Sequence, residues 1–380
     1  MRIIVYNSRS FGGCFEYGKA IHAAYAAHPG VENSAWWLPR NAETGDIPGV
    51  SAFLLPDRLP AGARWLRQLY FLFRTWLNPL LVLKKLQVQP PSTFIFNDFE
   101  QLSALLWVPL FRLCLQRTHR FAIILHDPDR DAYPPSLRFT RYSMRKIMSL
   151  MDVAIYHDFL PEKPYYQNLS GCRFLDLPHG PYHMPGPDPG LLEFLEKRVP
   201  EGSVVMSIPG NIRKEKNYDL AIEALTRLPR HILIIAGSAA NARISPGAYR
   251  DRIRELQVED RVIWIERFLS EAELAAVVSF SDVIVLNYAV SFTSQSGILN
   301  VAAPFRKELI ASDGPSSLAA VIKKFGVGEL VTPGSVSSLT DALLRLQPGQ
   351  ERVRRNWEDY LQYASWKNHA DKAIDCFRSL

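Results

Sequence analysis

Short apolar runs alternate along the chain with longer stretches whose apolar residues recur every three or four positions. Uninterrupted apolar runs are typical of strands buried on both faces of a parallel sheet, and the longer spacing is typical of helices that cover such a sheet. The pattern therefore predicts an α/β protein with parallel sheets. In the N-terminal half it predicts strands at Arg2–Tyr6, Phe94–Asn97, Phe121–Asp127, Val153–His157 and Arg173–Leu177, and helices at Tyr17–Tyr25, Leu102–Gln116 and Arg138–Leu150.

The same alternation continues after a stretch rich in Pro and Gly, residues 178–190, which predicts a domain boundary. Ser270 followed by Glu273 forms a capping box that opens a helix. The C-terminal half is thus a second parallel α/β domain. Its predicted strands are Val204–Ile208, His231–Gly237, Arg261–Phe268 and Val283–Leu286, and its other predicted helices are Tyr249–Leu256, Ile298–Ala303 and one that begins near Tyr218.

Composition indicates a globular protein of two domains with an anionic partner. The 380 residues are 47% hydrophobic and 22% charged, with a net charge of +6. There is neither an Arg-rich arm nor a patterned basic helix, so we expect phosphorylated small molecules or anionic lipid surfaces rather than nucleic acid. Four widely spaced cysteines predict reduced thiols in the cytoplasm, and a start directly in a strand predicts no signal peptide. Arg74 and Arg112 interrupt the two longest apolar stretches, which predicts no membrane span.

The stretch Asn287–Asp313 runs from a strand end through a Ser/Thr/Gly loop into a short helix. Backbone N–H groups at the helix start, with the hydroxyls of Thr293, Ser294 and Ser296, would hold a phosphate, and Gly297 would allow a close approach. A serine-rich turn with an ordinary helix cap explains the same residues. Both interpretations stay open from this stretch alone.

A second candidate site follows the strand Val204–Ile208, where Gly210 leads to Arg213 and Lys216 before the next helix. A guanidinium fork and an ammonium point charge in that position can both contact a diphosphate. The alternative is a solvated run of charges. The order of strand, glycine, basic loop and helix favours the binding site.

Candidate residues in the N-terminal half are less specific. Gly12 and Gly13 lie in the loop after the first strand but do not form GxGxxG, so they either shape the turn or contact a ligand. His126 ends a strand at the sheet edge where ligands bind, and is either structural or functional. The acidic run Asp127–Asp131 contains a proline and lacks further ligands, which favours a turn over a metal site.

The segment Ala61–Gln87 combines large aromatic residues at helical spacing with Arg and Lys. This composition suits a helix at a lipid headgroup boundary, and therefore an anionic membrane surface as a partner. A buried helix with solvated arginines fits equally well.

In their order along the chain, the motifs resemble glycosyltransferase family 4. The C-terminal motifs are GNIRKEK, LIIAG, DRVIWIERFLSEAEL, SDVIVLNY, SQSGIL and AAPFRKELIASD, with YASWKNHADKAIDCF near the end of the chain. LHDP (125–128) and LPHGPYH (177–183) are similar to bacterial polysaccharide and cell-surface members. The resemblance implies a GT-B fold, in which two Rossmann-like doubly wound domains face a cleft. It implies an acceptor domain at residues 1–184, a linker at 185–202, a donor domain at 203–360, and a C-terminal helix at 361–380 that crosses back to the first domain.

The resemblance also assigns roles to individual residues. It implies that His126, Arg213 and Lys216 serve catalysis. The family commonly carries two glutamates where this chain has Thr293 and Val301, which puts the usual ribose contact in doubt. The implied donor-binding residues are Gly210, Arg213, Lys216, Arg267, Phe268, Tyr288, Ser294, Gln295, Ser296 and Gly297, and the implied acceptor-side residues are Gly12, Gly13, Asp127 and His179.

The function implied is transfer of a hexosyl unit, with retention of configuration, from a nucleoside diphosphate sugar to an acceptor hydroxyl. The acceptor would be lipid-linked or a cell-surface polysaccharide, and no metal or other cofactor is expected. The enzyme would be cytoplasmic, at the inner membrane face if it is peripheral. A nucleotide-sugar epimerase or hydrolase and an inactive binding partner of another transferase are the alternatives.

Overall fold

A computed structural model describes residues 1–58, 64–131, 133, 135–239, 244–346 and 356–380. The chain forms two compact units, Met1–Gly180 with Ser365–Leu380, and Pro181–Ala364. Each unit contains one parallel sheet with helices, which confirms the predicted fold class.

The first unit is built on a seven-stranded sheet with the order β3-β2-β1-β4-β5-β6-β7. The pairings are parallel throughout, as expected for uninterrupted apolar strands. The strands are β1 (Arg2–Tyr6), β2 (Asn33–Pro39), β3 (Val50–Leu54), β4 (Thr93–Phe96), β5 (Arg120–Ile124), β6 (Val153–Tyr156) and β7 (Arg173–Asp176), and the helices between them are α1 (Gly13–Ala27), α2 (Arg64–Leu86), α3 (Ala104–Leu115) and α4 (Leu137–Met148).

The two faces of this sheet are covered by different helices. Ile4 and Tyr6 point to one face and pack with α2, α3 and α4, while Ile3 and Val5 point to the other face and pack with α1 and the C-terminal helix Trp366–Arg378. The alternation of strand side chains thus separates two apolar layers.

Helix α2 has two unlike halves. Its second half packs on the sheet through Val82 and Leu86, whereas its first half leaves large apolar side chains exposed, among them Trp65 and Phe73. The buried-helix alternative therefore describes only the second half of the segment. Residues 61–63 of the predicted segment lie outside the described residues. Among the residues described, no helix is both long and apolar enough to cross a membrane.

The second unit is built on a six-stranded parallel sheet with the order β10-β9-β8-β11-β12-β13. The predicted capping box is confirmed, because Glu273 N donates to Ser270 Oγ at 3.2 Å and Ser270 N to Glu273 Oε2 at 2.8 Å. The strands are β8 (Val204–Pro209), β9 (His231–Ala236), β10 (Val262–Ile265), β11 (Val283–Leu286), β12 (Glu308–Ser312) and β13 (Glu329–Val331), and the helices are α5 (Pro189–Glu196), α6 (Tyr218–Ala224), α7 (Pro246–Glu255), α8 (Glu271–Phe280), α9 (Gly297–Ala302), α10 (Ser317–Phe325), α11 (Val336–Leu344) and α12 (Trp357–Tyr363).

The structure differs from the sequence prediction at the expected linker and at the C-terminus. Within residues 185–202, α5 is a folded helix that buries Leu191 and Leu195 in the second unit, because Asp188 caps it and apolar residues follow the Pro-Gly pair. The predicted single helix 361–380 is two, since α12 ends at Tyr363 in the second unit and α13 (Trp366–Arg378) begins in the first after the Ser365 cap.

Candidate functional site

The strand order of the second sheet reverses between β8 and β11, so the loops that follow these two strands are neighbours. Ligands of doubly wound sheets bind at this reversal, outside the carboxyl ends of the strands. Asn217 Nδ2 donates to Asn287 O at 3.0 Å, Asn287 Nδ2 donates to Asn217 O at 3.1 Å, and Ala289 N donates to Glu215 O at 2.8 Å. These bonds fix the two loops against each other.

Lys216 lies in the first of these loops and is buried, with 6% of its surface exposed. Its Nζ donates to the carbonyl of Pro209 at 2.5 Å. Burial, and then the charge of Arg213, lower the pKa of Lys216 to about 7. An anion bound beside this ammonium would favour its charged form. The neighbouring Arg213 is exposed.

Two glycines let the loops after β8 and β9 cross closely. A Cβ on Gly237 would lie 2.3 Å from the Gly210 carbonyl oxygen, and Gly210 has a φ of +84°. Sequence reasoning selected Gly210 but treated Gly237 only as the last residue of a strand. The requirement for Gly237 comes from its contact with a neighbouring loop, which no local pattern records.

The loop between β11 and α9 is ordered by its own aromatic side chains. Tyr288 stacks on Phe292, with ring centroids 3.9 Å apart, and its hydroxyl lies 3.1 Å from Ser296 Oγ. The Ser296 hydroxyl therefore contacts Tyr288 instead of capping α9, which begins at Gly297 with no side-chain cap hydrogen bond. The helix is confirmed close to its predicted position, but at six residues it supplies only a short dipole.

Gln295 carries a buried polar atom next to this helix start. Its Oε1 accepts from Ser296 N at 3.2 Å, while its Nε2 has no hydrogen-bond partner within the described part of the chain. A buried donor without a partner is costly unless a ligand completes it. Thr293 is buried and Ser294 is partly exposed in the same loop.

Arg267 and Phe268 lie at the carboxyl end of β10, which β9 separates from β8. Arg267 Nη2 pairs with Glu273 Oε1 at 2.5 Å and, together with the capping box, lowers the pKa of Glu273 to about 2. Phe268 is 72% exposed. This predicted pair thus follows a strand that lies two positions from β8 in the sheet.

The positions that lack the family's carboxylates are occupied by uncharged side chains. Val301 is 5% exposed and belongs to the apolar cluster around α9, and Thr293 is buried. Neighbouring Asn300 accepts a hydrogen bond from Tyr360 OH at 2.6 Å. Neither residue 293 nor residue 301 therefore supplies a carboxylate to a ligand.

The first sheet has its own reversal between β1 and β4. The side-chain amides of Asn7 and Asn97 both donate to the Cys14 carbonyl, at 3.0 and 2.6 Å. A Cβ on Gly18 would lie 2.3 Å from Asn7 Oδ1, so α1 packs tightly at this point and Gly18 is a site-shaping residue that sequence reasoning missed. Gly12 precedes α1 with a φ of +81°, which agrees with a turn-shaping role.

Four histidines surround Tyr17 in the first unit. The ring centroids of His126, His157, His179 and His369 lie 4.5, 5.4, 4.8 and 5.9 Å from that of Tyr17. Only His126 and His179 were selected from the sequence. The other two belong to β6's carboxyl end and to α13, and nothing in their local patterns indicates that the chain brings them together.

Burial keeps this cluster uncharged. It lowers the pKa of His157 to about 4 and those of His179 and His369 to about 3, and it also holds the pKa of His126 well below its ordinary value. His126 Nε2 lies 2.8 Å from Asn97 Oδ1, and the Asn97 amide nitrogen is occupied at Cys14. The proton therefore resides on Nε2, which leaves His126 Nδ1 as an acceptor.

The acidic run after β5 is neutralised by cations. Lys163 Nζ lies 2.8 Å from Asp129 and 3.2 Å from Asp131, and Arg141 pairs with Asp131 at 2.9 Å. Asp127, an expected acceptor-side residue, accepts from Tyr133 OH at 2.9 Å. Ion pairs thus account for the Asp129 and Asp131 carboxylates.

Residues 193–362 match the sequence profile of the family described as "Glycosyl transferases group 1". A curated relative, D-inositol 3-phosphate glycosyltransferase of Corynebacterium aurimucosum, is 28% identical over 180 residues, which are 44% of this chain and 41% of the relative. The chain thus spans less than half the length of that relative.

Solved structures resemble the whole chain. Sucrose-phosphate synthase from Thermosynechococcus elongatus has a TM-score of 0.67 at 17% identity, covering 100% of this chain and 98% of its own. Anabaena HepE in complex with UDP-glucose has a TM-score of 0.66 at 14% identity and 100% coverage of both chains. WaaG, a glycosyltransferase involved in lipopolysaccharide biosynthesis, has a TM-score of 0.62 at 15% identity and covers 98% of both chains. Residues 193–362 therefore match the group 1 glycosyltransferase family, and the chain as a whole has the GT-B fold.

Proposed function

We propose that the protein transfers a hexosyl unit from a nucleoside diphosphate sugar to an acceptor hydroxyl. The observation that carries this proposal is the buried Lys216 beside Arg213, in the loop at the strand-order reversal of the second sheet. Within the described parts of the chain, the Lys216 ammonium has no carboxylate partner. A buried ammonium of this kind is a site for an anion, and a diphosphate offers enough charge to contact both cations.

The two cations act on the leaving group. As the bond between the anomeric carbon and the diphosphate oxygen breaks, negative charge grows on the diphosphate, and Lys216 and Arg213 stabilise it. The acceptor oxygen forms the new bond to the anomeric carbon, and its proton passes to the departing diphosphate oxygen. Transfer with retention of configuration is what the family resemblance implies.

His126 serves binding in this proposal. Its Nδ1 is an acceptor at the edge of the first unit, and its low pKa keeps it neutral at physiological pH. A neutral imidazole acceptor binds a sugar hydroxyl and orients it.

The donor is proposed to be a uridine diphosphate sugar. The support is that HepE, which shares the fold, is a complex with UDP-glucose. Because Thr293 and Val301 carry no carboxylate, the ribose is held by other groups, and the buried Gln295 Nε2 donor is available beside the helix start. No metal or further cofactor takes part.

The acceptor is proposed to be a glycan, either lipid-linked or part of a cell-surface polysaccharide, on the cytoplasmic side of the membrane. The positive net charge of +6 favours an acceptor that carries phosphate or lies at an anionic surface.

Nucleotide binding should raise the melting temperature of the protein. In a thermal-shift panel of UDP, GDP, ADP and their common sugar conjugates, we expect one nucleotide to raise it by several degrees, since a ligand bound only to the folded state stabilises by about 2.7 kcal/mol at a hundredfold excess over Kd. No shift with any of these would favour the inactive binding partner, an alternative that the uncharged Thr293 and Val301 allow.

The affinity should also depend on the charge of Lys216. Because its pKa is about 7 in the unliganded protein, Kd should rise about tenfold for each pH unit above 7, measured by titration calorimetry. A Kd that stays constant from pH 6.5 to pH 8.5 would show that the diphosphate does not contact this ammonium.

A further inference from the structure

Several faces of the first half of α2 have no partner among the residues that the structure describes. Large apolar side chains that are 44–60% exposed follow one another over three turns. Monomeric proteins rarely leave an apolar patch of this size uncovered, and such patches mark interaction sites. The exposed apolar residues are Trp65, Leu66, Leu69, Phe71, Leu72, Phe73 and Trp76.

The helical layer that carries this patch has only one sign of charge. Helices α2, α3 and α4 cover the same face of the first sheet and contain five, one and four Lys or Arg residues, with no Asp or Glu. The helices on the opposite face, α1 and α13, carry acidic and basic residues together. The acid-free layer therefore complements a negatively charged surface.

The layer also exposes apolar side chains outside α2. Leu105, Leu106 and Leu113 on α3 are 41%, 37% and 82% exposed, and Tyr142 on α4 is 53% exposed. Aromatic and aliphatic side chains among cations are the composition of helices that lie at a lipid headgroup boundary.

The patch is anchored to the carboxyl edge of the first sheet. Arg74 of α2 is buried and donates to the carbonyl of Ser8 in the loop after β1, and Tyr70 OH donates to Pro56 O, in the loop after β3, at 2.9 Å. In that region Arg58 lies over the exposed ring of Phe11, 3.6 Å from its centroid. A partner bound to the patch would thus lie next to the carboxyl ends of β1 and β3.

We propose that this surface, the exposed residues of α2, α3 and α4, docks on an anionic phospholipid bilayer. The apolar side chains of α2 enter the headgroup region, and the exposed Arg67, Lys84, Arg138 and Arg145 contact lipid phosphates. The proposal rests on the proposed function in one respect: docking would present the ligand-binding edge of the first unit to an acceptor held in the membrane.

Vesicle co-sedimentation of the full-length protein tests the docking. We expect binding to vesicles of phosphatidylglycerol and phosphatidylcholine in equal parts, and about tenfold weaker binding to phosphatidylcholine alone. The double variant Leu69→Ser/Phe73→Ser should bind the mixed vesicles about tenfold more weakly, because two large apolar side chains no longer enter the lipid. The matched control Phe194→Ser/Leu344→Ser removes the same two residue types from exposed positions of the second unit and should bind normally.

A second variant tests the docking independently of whether Leu69→Ser/Phe73→Ser folds. Arg67→Gln/Lys84→Gln keeps the apolar residues and should lose about tenfold in affinity for the anionic vesicles only. Wild-type protein that ignores anionic vesicles, or Leu69→Ser/Phe73→Ser protein that binds like wild type, would overturn the proposal. If light scattering detects a dimer of the wild-type protein that Leu69→Ser/Phe73→Ser does not form, and the wild type does not bind vesicles, the surface is an interface with a second copy of the chain. That result would also overturn the proposal.

The nucleotide thermal shift separates the two proposals. Vesicle binding without any nucleotide shift would support docking and contradict the proposed transferase. A nucleotide shift without vesicle binding would contradict docking alone, because UDP binding in solution does not require the α2 surface.

Discussion

Replacing Arg213 and Lys216 together by alanine should reduce glycosyl transfer by about three orders of magnitude or more. Each cation stabilises charge that develops on the departing diphosphate, and the loss of one such contact typically costs a factor of about a hundred or more in kcat. Because Lys216 is buried, no water-exposed side chain can take its place. The measurement is the rate of nucleoside diphosphate release in the presence of acceptor.

Lys214→Ala is the matched control for this variant. Lys214 is an exposed cation in the same loop, so its removal changes the local charge without touching the buried position. We expect near-normal turnover from Lys214→Ala, and the melting temperature of the double variant should show that it is folded. Near-normal turnover of Arg213→Ala/Lys216→Ala would refute the proposed donor site.

Acidification should destabilise the first unit through its histidine cluster. His157, His179 and His369 are neutral in the folded protein, and their pKa values of about 4, 3 and 3 lie below the ordinary value near 6.5. The unfolded chain therefore binds more protons below pH 6.5, and stability falls as pH decreases from 6.5 towards 4. At pH 5.5 each histidine costs about 1.4 kcal/mol, or roughly 4 kcal/mol together, which is a fall in melting temperature on the order of 10 °C.

His369→Asn isolates one member of the cluster. His369 Nδ1 lies 3.0 Å from the Pro178 carbonyl, and an asparagine amide can keep that donor while removing the titration. The difference in melting temperature between pH 7.5 and pH 5.5 should shrink by the contribution of one histidine, about 1.4 kcal/mol, which is roughly 4 °C. The variant is needed because burial raises the pKa of Glu100 to about 7, so protonation of Glu100 stabilises the folded protein as pH falls. The wild-type melting temperature alone therefore does not isolate the effect of the histidines. An unchanged difference would show that the cluster does not control acid stability.

The sheets and the basic loop could be predicted because their signals are local. Uninterrupted apolar runs mark β1, β8 and β11, and the capping box marks α8. Strand β2 was missed although Trp36 and Trp37 are buried, because it begins with the polar residues Asn33 and Ser34 and ends at a proline, so its apolar run is short. The basic loop could also be predicted from a local signal, because Gly210, Arg213 and Lys216 lie within a few residues of one another.

The rest of the site depends on contacts between distant residues. Gly237 is required by the backbone of Gly210, and the histidines around Tyr17 come from four different elements, one of them α13. Chain topology decides these neighbours, and a single sequence does not record which loops meet. The two halves of α2 show the same limit, because periodicity alone does not say which apolar face is covered.

Product analysis with a labelled nucleotide sugar tests the central claim most directly. We predict that the nucleotide sugar identified by thermal shift, incubated with the protein and a membrane extract, yields free nucleoside diphosphate and a labelled glycoside in equal amounts. Incubation without acceptor should leave the nucleotide sugar largely intact. Conversion to an isomeric nucleotide sugar or to free sugar without acceptor would instead identify an epimerase or hydrolase, and would contradict the transferase account.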